Sequence, residues 1–153
     1  MISYILREAT QEDENFIFNS FLQSYRKYSS MRYVPHNLYF KPQSDIISYL
    51  LDTANILIAC FPEEPDQIMG YVIYEHVNNQ LVLHYEYIKN IFRSERLDEA
   101  LLTAINPKKE LMIITHLLGK LEMEDNTITY KQPYNVAYDP FFITNKRLLE
   151  CHE

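Results

Sequence analysis

Glycine and tryptophan are what this 153-residue sequence has least of, with two glycines and no tryptophan. Glycine supplies left-handed turns and lets backbone approach a ligand closely, so glycine-rich phosphate-binding loops are excluded. Neither a G-x-x-x-x-G-K-[ST] loop nor a G-x-S-x-G elbow occurs, which removes the commonest nucleotide-hydrolase and hydrolase signatures. The two cysteines, Cys60 in an apolar run and Cys151 beside the C-terminus, read as free thiols of a reducing compartment, not as a disulfide frame.

Basic residues are also short: 14 Lys and Arg stand against 21 Asp and Glu, a net charge of −7. No stretch is basic enough to neutralise many phosphates, so no nucleic-acid partner is expected. No apolar run approaches the roughly 18 to 20 residues of a membrane span, and no membrane partner is expected. The start, MISYILREATQEDENF, lacks a basic leader and a cleavage site, so the expected location is cytoplasmic. The histidines at 36, 76, 84, 116 and 152 share no paired ligand spacing, and no metal is expected.

What is abundant is aromatic, with 13 tyrosines and eight phenylalanines. The chain length fits one domain spanning residues 1–153. ISYILREA (2–9) reads as a strand. Thr10 with Asp13 three positions on is a capping-box-like start of a helix to about Tyr28, whose Ile17, Phe21 and Tyr25 share a face. Residues Ser29 to Gln43, with Pro35 and Pro42, read as a loop able to line a substrate mouth, and Ser44 as the cap of a second helix. NILIACF (55–61), IMGYVIYEHV (68–77) and QLVLHYEYIK (80–89) form a three-strand meander, the last two joined by Asn78-Asn79. A helix from about Ser94 to Ile105 stops at Asn106-Pro107. ELMIIT (110–115) is the next strand, then come a short helix within 116–124 and strands over 127–131 and 136–143. The expected class is α/β (α+β), a mixed, mostly antiparallel sheet flanked by helices.

Strand, two helices, three meandering strands, helix, strand is the element order of the GNAT family of N-acetyltransferases, which the chain resembles over most of its length. VLHYEYIKNIFRSERLDEALL resembles the family's central strand, pyrophosphate loop and following helix. LREATQEDENFIFNSFLQSYR, GYVIYE and YNVAYDPFF are similar to small GNAT-like proteins of tailed bacteriophages. The resemblance implies that backbone at Tyr87, Ile88 and Lys89 pairs with the pantetheine arm of acetyl-CoA. It also implies a loop of the form Gln/Arg-x-x-Gly-x-Gly/Ala around the pyrophosphate, where this chain has Arg93-Ser94-Glu95-Arg96-Leu97-Asp98. Arg93 matches; Arg96 and Asp98 stand at the small positions, and Glu95, Asp98 and Glu99 bring negative charge. Like charges about 4 Å apart repel by ~1 kcal/mol even in water, so Arg93, Ser94 and Arg96 are the residues left to hold the cofactor. The plain alternative is that these acids only favour a helix N-terminus.

Acetyl transfer to an amine needs a base and an acid. Glu75, His76, His84 and Glu86 are the titratable groups of the middle strands. Strand alternation places His84 and Glu86 on one face, and either is the expected base. Tyr130 is the expected acid, with Tyr134 and Tyr138 as alternatives. The altered loop favours a non-catalytic GNAT-like protein, phage-encoded, that binds a host factor or sits in a virion, without cofactor. The alternative is an active acetyl-CoA-dependent N-acetyltransferase on a small amine or a host protein. Association of sheet edges into a homo-oligomer is a third option.

Overall fold

A computed structural model describes residues 2–117, 121–124, 127–130 and 135–151, with side chains at 2–117 and 135–151. Among the described residues eight strands and four α-helices follow in the order β1 (Ile5–Glu8), α1 (Glu14–Tyr28), α2 (His36–Thr53), β2 (Asn55–Cys60), β3 (Ile68–Val77), β4 (Gln80–Ile88), α3 (Leu97–Ile105), β5 (Met112–Ile114), β6 (Leu121–Glu124), β7 (Thr127–Tyr130), β8 (Val136–Tyr138) and α4 (Phe142–Cys151). Six strands make one sheet in the order β1-β2-β3-β4-β5-β8, antiparallel from β1 to β4 and parallel from β4 to β8. β6 and β7 form a separate antiparallel pair. The expected α/β class with a mostly antiparallel sheet is what the chain adopts. No helix among the described residues is long and apolar enough to cross a membrane.

The hairpin of β3 and β4 follows directly from sequence. Two alternating apolar runs flank Asn78-Asn79, and both asparagines take left-handed conformations (φ 51° and 65°), the backbone that a two-residue turn needs and asparagine tolerates. The start of α1 is equally local. Thr10 N–H donates to Asp13 Oδ2 at 2.7 Å, and a short 3₁₀ turn, Gln11–Asp13, leads into the helix. Arg7 on β1 donates to both Asp13 oxygens at 2.8 Å, tying strand to helix start with a bidentate pair.

The sheet has a core on each face. On one, Ile17, Phe21 and Tyr25 of α1, with Tyr39, Ile47 and Leu50 of α2, pack on Ile58, Tyr71, Ile73 and Tyr85. The tyrosine hydroxyls buried here find α1 serines, Tyr71 with Ser20 at 2.7 Å and Tyr85 with Ser24 at 2.6 Å. On the other face Leu97, Leu101, Leu102 and Ile105 of α3 cover Met69, Val72, Leu83 and Met112.

Three sequence expectations need correction. First, α2 starts at His36, not Ser44, and carries Pro42 inside. A helix-interior proline costs about 3 kcal/mol. Burying Tyr39, Ile47 and Leu50 from one helix face contributes about 1.5–3 kcal/mol each and wins. The expected mouth loop shrinks to a 3₁₀ turn, Ser30–Tyr33, and its flanks. Second, residues 121–124 are a strand, not part of a short helix: alternating Leu-Glu-Met-Glu pairs with Thr-Ile-Thr-Tyr, whose β-branched and aromatic residues fit a pleat. Third, the strand expected over 136–143 ends at Tyr138, and a helix follows. Asp139 Oδ1 accepts from Phe141 N–H at 2.9 Å, so Asp139-Pro140 starts α4 despite the strand-like Phe-Phe-Ile-Thr after it.

Candidate functional site

The centre of the sheet opens beside β4. β4 and β5 pair only from Leu81↔Met112 to Leu83↔Ile114, with Thr115 N–H reaching Leu83 C=O at 3.3 Å. From Tyr85 to Ile88, β4 stays paired with β3, and no strand among the described residues covers its other edge. Tyr87 and Ile88 lie on this open stretch, and Lys89 ends it, its N–H donating back to Met69 C=O at 2.9 Å. Gly70 makes the close approach possible: a Cβ there would lie 2.6 Å from both Tyr87 C=O and Ile88 Cδ1.

A β-bulge sits where the β4–β5 pairing ends. Tyr74 pairs with Leu83 and Ile73 with Tyr85, so His84 is the extra residue of β4. The bulge overturns the alternation expected from sequence. His84 joins Tyr85 on the face of α1 and α2, while Glu86, opposite Val72, turns to the face of α3. His84 and Glu86 therefore do not share a face.

Around His84 a buried polar chain crosses the structure. His84 Nε2 is 3.0 Å from Glu75 Oε2, and Lys146 of α4 donates to Glu75 Oε1 at 2.9 Å. His84 Nδ1 is 2.9 Å from Thr115 Oγ1, which is 3.0 Å from His116 Nδ1; His116 Nε2 is 3.1 Å from the Gln43 amide nitrogen of α2. Chemistry fixes the direction. With Gln43 donating, His116 Nε2 accepts and its Nδ1–H donates to Thr115; the threonine hydroxyl donates to His84 Nδ1, and His84 Nε2–H donates to Glu75. Every member then has one consistent hydrogen-bonding role.

The electrostatics of His116 and Glu75 fit these roles. Burial pushes His116 down to about 3, so it stays neutral. Burial pulls Glu75 up, but the His84 and Lys146 hydrogen bonds outweigh it and hold the carboxyl below its ordinary value. Burial drives Tyr71 well up against the Ser20 hydrogen bond, which acts to lower it, and burial likewise holds Tyr85 above its ordinary value. Both His84 ring nitrogens are committed and the residue is 1% exposed, so no lone pair faces a substrate. Among the expected acid–base residues, this leaves half-buried Glu86 on the open stretch of β4. Glu75 belongs to the chain above and His76 lies near Tyr74 on the other face. Tyr130 has its backbone in β7, and its side chain, like the whole of Tyr134, falls outside the described residues. Tyr138 is on β8, 45% exposed.

The loop after β4 is a 3₁₀ turn over Asn90–Glu95, and α3 begins at Leu97. Arg96, at the position where the family motif has glycine, holds a left-handed backbone with φ 58°. Its guanidinium is solvent-exposed and lies 3.9 Å from Glu99. Glu95 turns away to accept from Ile2 N–H at 3.2 Å, and no side chain caps α3. The acids thus leave the helix start to be capped by other groups. Ser94 is exposed, and Arg93 lies over the ring of Tyr28 at 4.9 Å. Tyr28 also meets Lys27 (5.2 Å to the ring), while Lys89 lies over Phe16 at 5.0 Å. Cations and aromatic rings so gather beside the open edge of β4. No group of three or more metal-ligating side chains occurs among the described residues.

Sequence reading missed Gln43, Thr115, His116, Lys146 and Tyr28. Only His116, directly after a strand, carried a signal; the others meet the site through distant elements.

No family model and no curated protein sequence matches the chain. Solved structures do. A Corynebacterium glutamicum protein described as histone acetyltransferase HPA2 and related acetyltransferase is similar with a TM-score of 0.55 at 14% identity, over 71% of this chain and 73% of that one. YjaB from Escherichia coli, in its apo form, gives 0.52 at 14%, over 69% and 66%. A ribosomal-protein-alanine N-acetyltransferase from Brucella melitensis biovar Abortus 2308 gives 0.50 at 17%, over 69% and 71%. At such identities the likeness is one of architecture, and by it this chain has the GNAT acetyltransferase fold.

Proposed function

We propose that the chain binds a coenzyme A thioester along the open edge of β4 and acts as an N-acetyltransferase. The observation that carries this reading is the end of the β4–β5 pairing at Leu83, which leaves the rest of β4 with no described strand on that edge, followed by a 3₁₀ turn and a helix start that no side chain caps and that has the left-handed Arg96 in front of it. That fits the group on two counts: unpaired strand backbone suits an extended polar arm, and a helix N-terminus suits a pyrophosphate. Backbone at Tyr87, Ile88 and Lys89 would hold the arm, and Arg93, Ser94 and Arg96 the phosphates. When bound, acetyl-CoA supplies an activated acyl group for an amine acceptor. Glu86 takes the amine proton on its carboxylate, and Tyr130 is the candidate to protonate the departing thiolate. His84 positions the bulge and touches no reactant.

A second reading is supported by the sealed His84 and by the bulk of Arg96 and Asp98: a non-catalytic GNAT-fold protein, phage-encoded, acting on a host factor or within a virion. One experiment separates them. Titration calorimetry of the purified protein with acetyl-CoA and with coenzyme A is expected to give dissociation constants on the order of micromolar. Absence of binding until Arg96→Gly/Asp98→Ala restores small residues would overturn the acetyltransferase reading and leave the second. Where binding is seen, Glu86→Gln should leave it intact and lower turnover on an amine acceptor by about 10²-fold or more.

A further inference from the structure

A groove of about 420 Å³ runs between the C-terminal half of α1 and the start of α2, lined by Leu22, Gln23, Arg26, Lys27, Arg32 and Phe40. Its size falls in the roughly 300–1,000 Å³ range of ligand clefts. The lining holds three cations and no carboxylate, on a chain whose net charge is −7. None of the three pairs with an acid among the described residues. Arg26 spends one nitrogen on Val34 C=O at 3.3 Å and rests against the Tyr39 ring at 5.7 Å; its Nε is buried with no acceptor among the described residues. Arg32 is exposed, its guanidinium 4.8 Å over the ring of Tyr33. The Phe40 ring, stacked on His36 at 3.8 Å, and Leu22 supply an apolar wall beside these cations.

We infer that this groove binds an acidic peptide segment, one that places a carboxylate beside an apolar side chain. The cations open to a ligand are the exposed Lys27 and Arg32, and a guanidinium fork binds a carboxylate in preferred geometry while an ammonium adds a point charge beside it. The Phe40 and Leu22 wall takes the apolar neighbour, which a bare phosphate would leave uncovered. Lys27 links the groove to Tyr28 and through it to Arg93, so a segment seated here runs toward the open edge of β4. Binding requires no acyl group and stands whether or not coenzyme A binds.

The test is fluorescence anisotropy on the full chain with a labelled hexapeptide alternating glutamate with leucine and phenylalanine, and with its glutamine counterpart. The acidic peptide is expected to bind, more weakly as salt rises. Arg32→Gln and Lys27→Gln, both at exposed positions where folding is not at stake, should each weaken it about fivefold. Lys108→Gln, beside the β3–β4 turn, should not. Equal binding of the glutamine peptide, or no binding at low salt, overturns the inference. Displacement of the peptide by coenzyme A one for one also overturns it, by assigning the cations to nucleotide phosphates. Peptide binding without acetyl-CoA binding sinks only the acetyltransferase reading.

Discussion

Glu75 Oε2 and His84 Nε2 meet at 3.0 Å inside the sheet, with side chains 8% and 1% exposed, and the carboxylate's other oxygen holds Lys146 from the C-terminal helix. The pair anchors the bulge of β4, the residue-long irregularity after which β4 leaves β5. It therefore ties the last helix to the place where the β4–β5 pairing ends.

Thr115 is the hinge of that chain, because one hydroxyl serves both His84 and His116. Thr115→Val keeps the shape and removes the hydroxyl, leaving two buried ring nitrogens unsatisfied. The expected cost is about 1–3 kcal/mol in urea unfolding, with Thr115→Ser close to the parent. A stable valine variant would show that the imidazoles find other partners.

Stability should fall with acid. His116 has an ordinary value of 6.5 and lies at about 3 in the fold, so below pH 6.5 the unfolded chain binds a proton that the folded chain refuses. The stability it contributes is complete above pH 6.5 and is lost as pH falls toward 3, at about 1.4 kcal/mol per unit. Asp13, held down chiefly by the Arg7 hydrogen bond, and Glu75 act with the same sign at lower pH. Urea midpoints at pH 7, 6, 5 and 4 should show the slope, and His116→Asn should flatten it between pH 6 and 5. An unchanged slope in the variant would place the effect elsewhere.

Gly70 is required by contact, not by backbone angle. Gly70→Ala puts a Cβ 2.6 Å from Tyr87 C=O on the adjacent strand, so β3 and β4 must shift apart beside the open stretch. Thermal unfolding should report a loss of about 1–3 kcal/mol.

Arg96 pays for its left-handed backbone. Left-handed geometry costs a non-glycine residue about 1–2 kcal/mol, and glycine loses about 0.4–1 kcal/mol through the unfolded chain. Arg96→Gly should be about 0.5 kcal/mol more stable, and Arg96→Val about 1 kcal/mol less stable, by urea unfolding. Destabilisation by glycine would mean that the arginine side chain contributes more than its exposure suggests.

Much of the fold was legible in the residues themselves. Thr10 with Asp13, the Ile17, Phe21 and Tyr25 face, and Asn78-Asn79 between two alternating runs are short-range signals, and each gave the element it implied. Asp139-Pro140 was an equally local helix start, but the aromatic and β-branched residues behind it read as strand. Pro42 misled in the opposite direction, since a proline reads as a break until the burial of Tyr39 and Ile47 is known.

The candidate site divides along the same line. That β4 leads into a turn and then a helix, with Arg93 and Arg96 at its start, follows from the order of residues along the chain. Which face His84 and Glu86 occupy does not, because one extra residue in a strand inverts the alternation after it, and a bulge depends on the neighbouring strand's register. Likewise the sequence determined that the chain carries five histidines and 21 acids. Only the tertiary structure decided that His84, Glu75, Thr115, His116, Gln43 and Lys146 form one buried chain. They lie on β3, β4, the end of β5, α2 and α4, and burial leaves all but the partly exposed Lys146 no water to bond, so they must find one another.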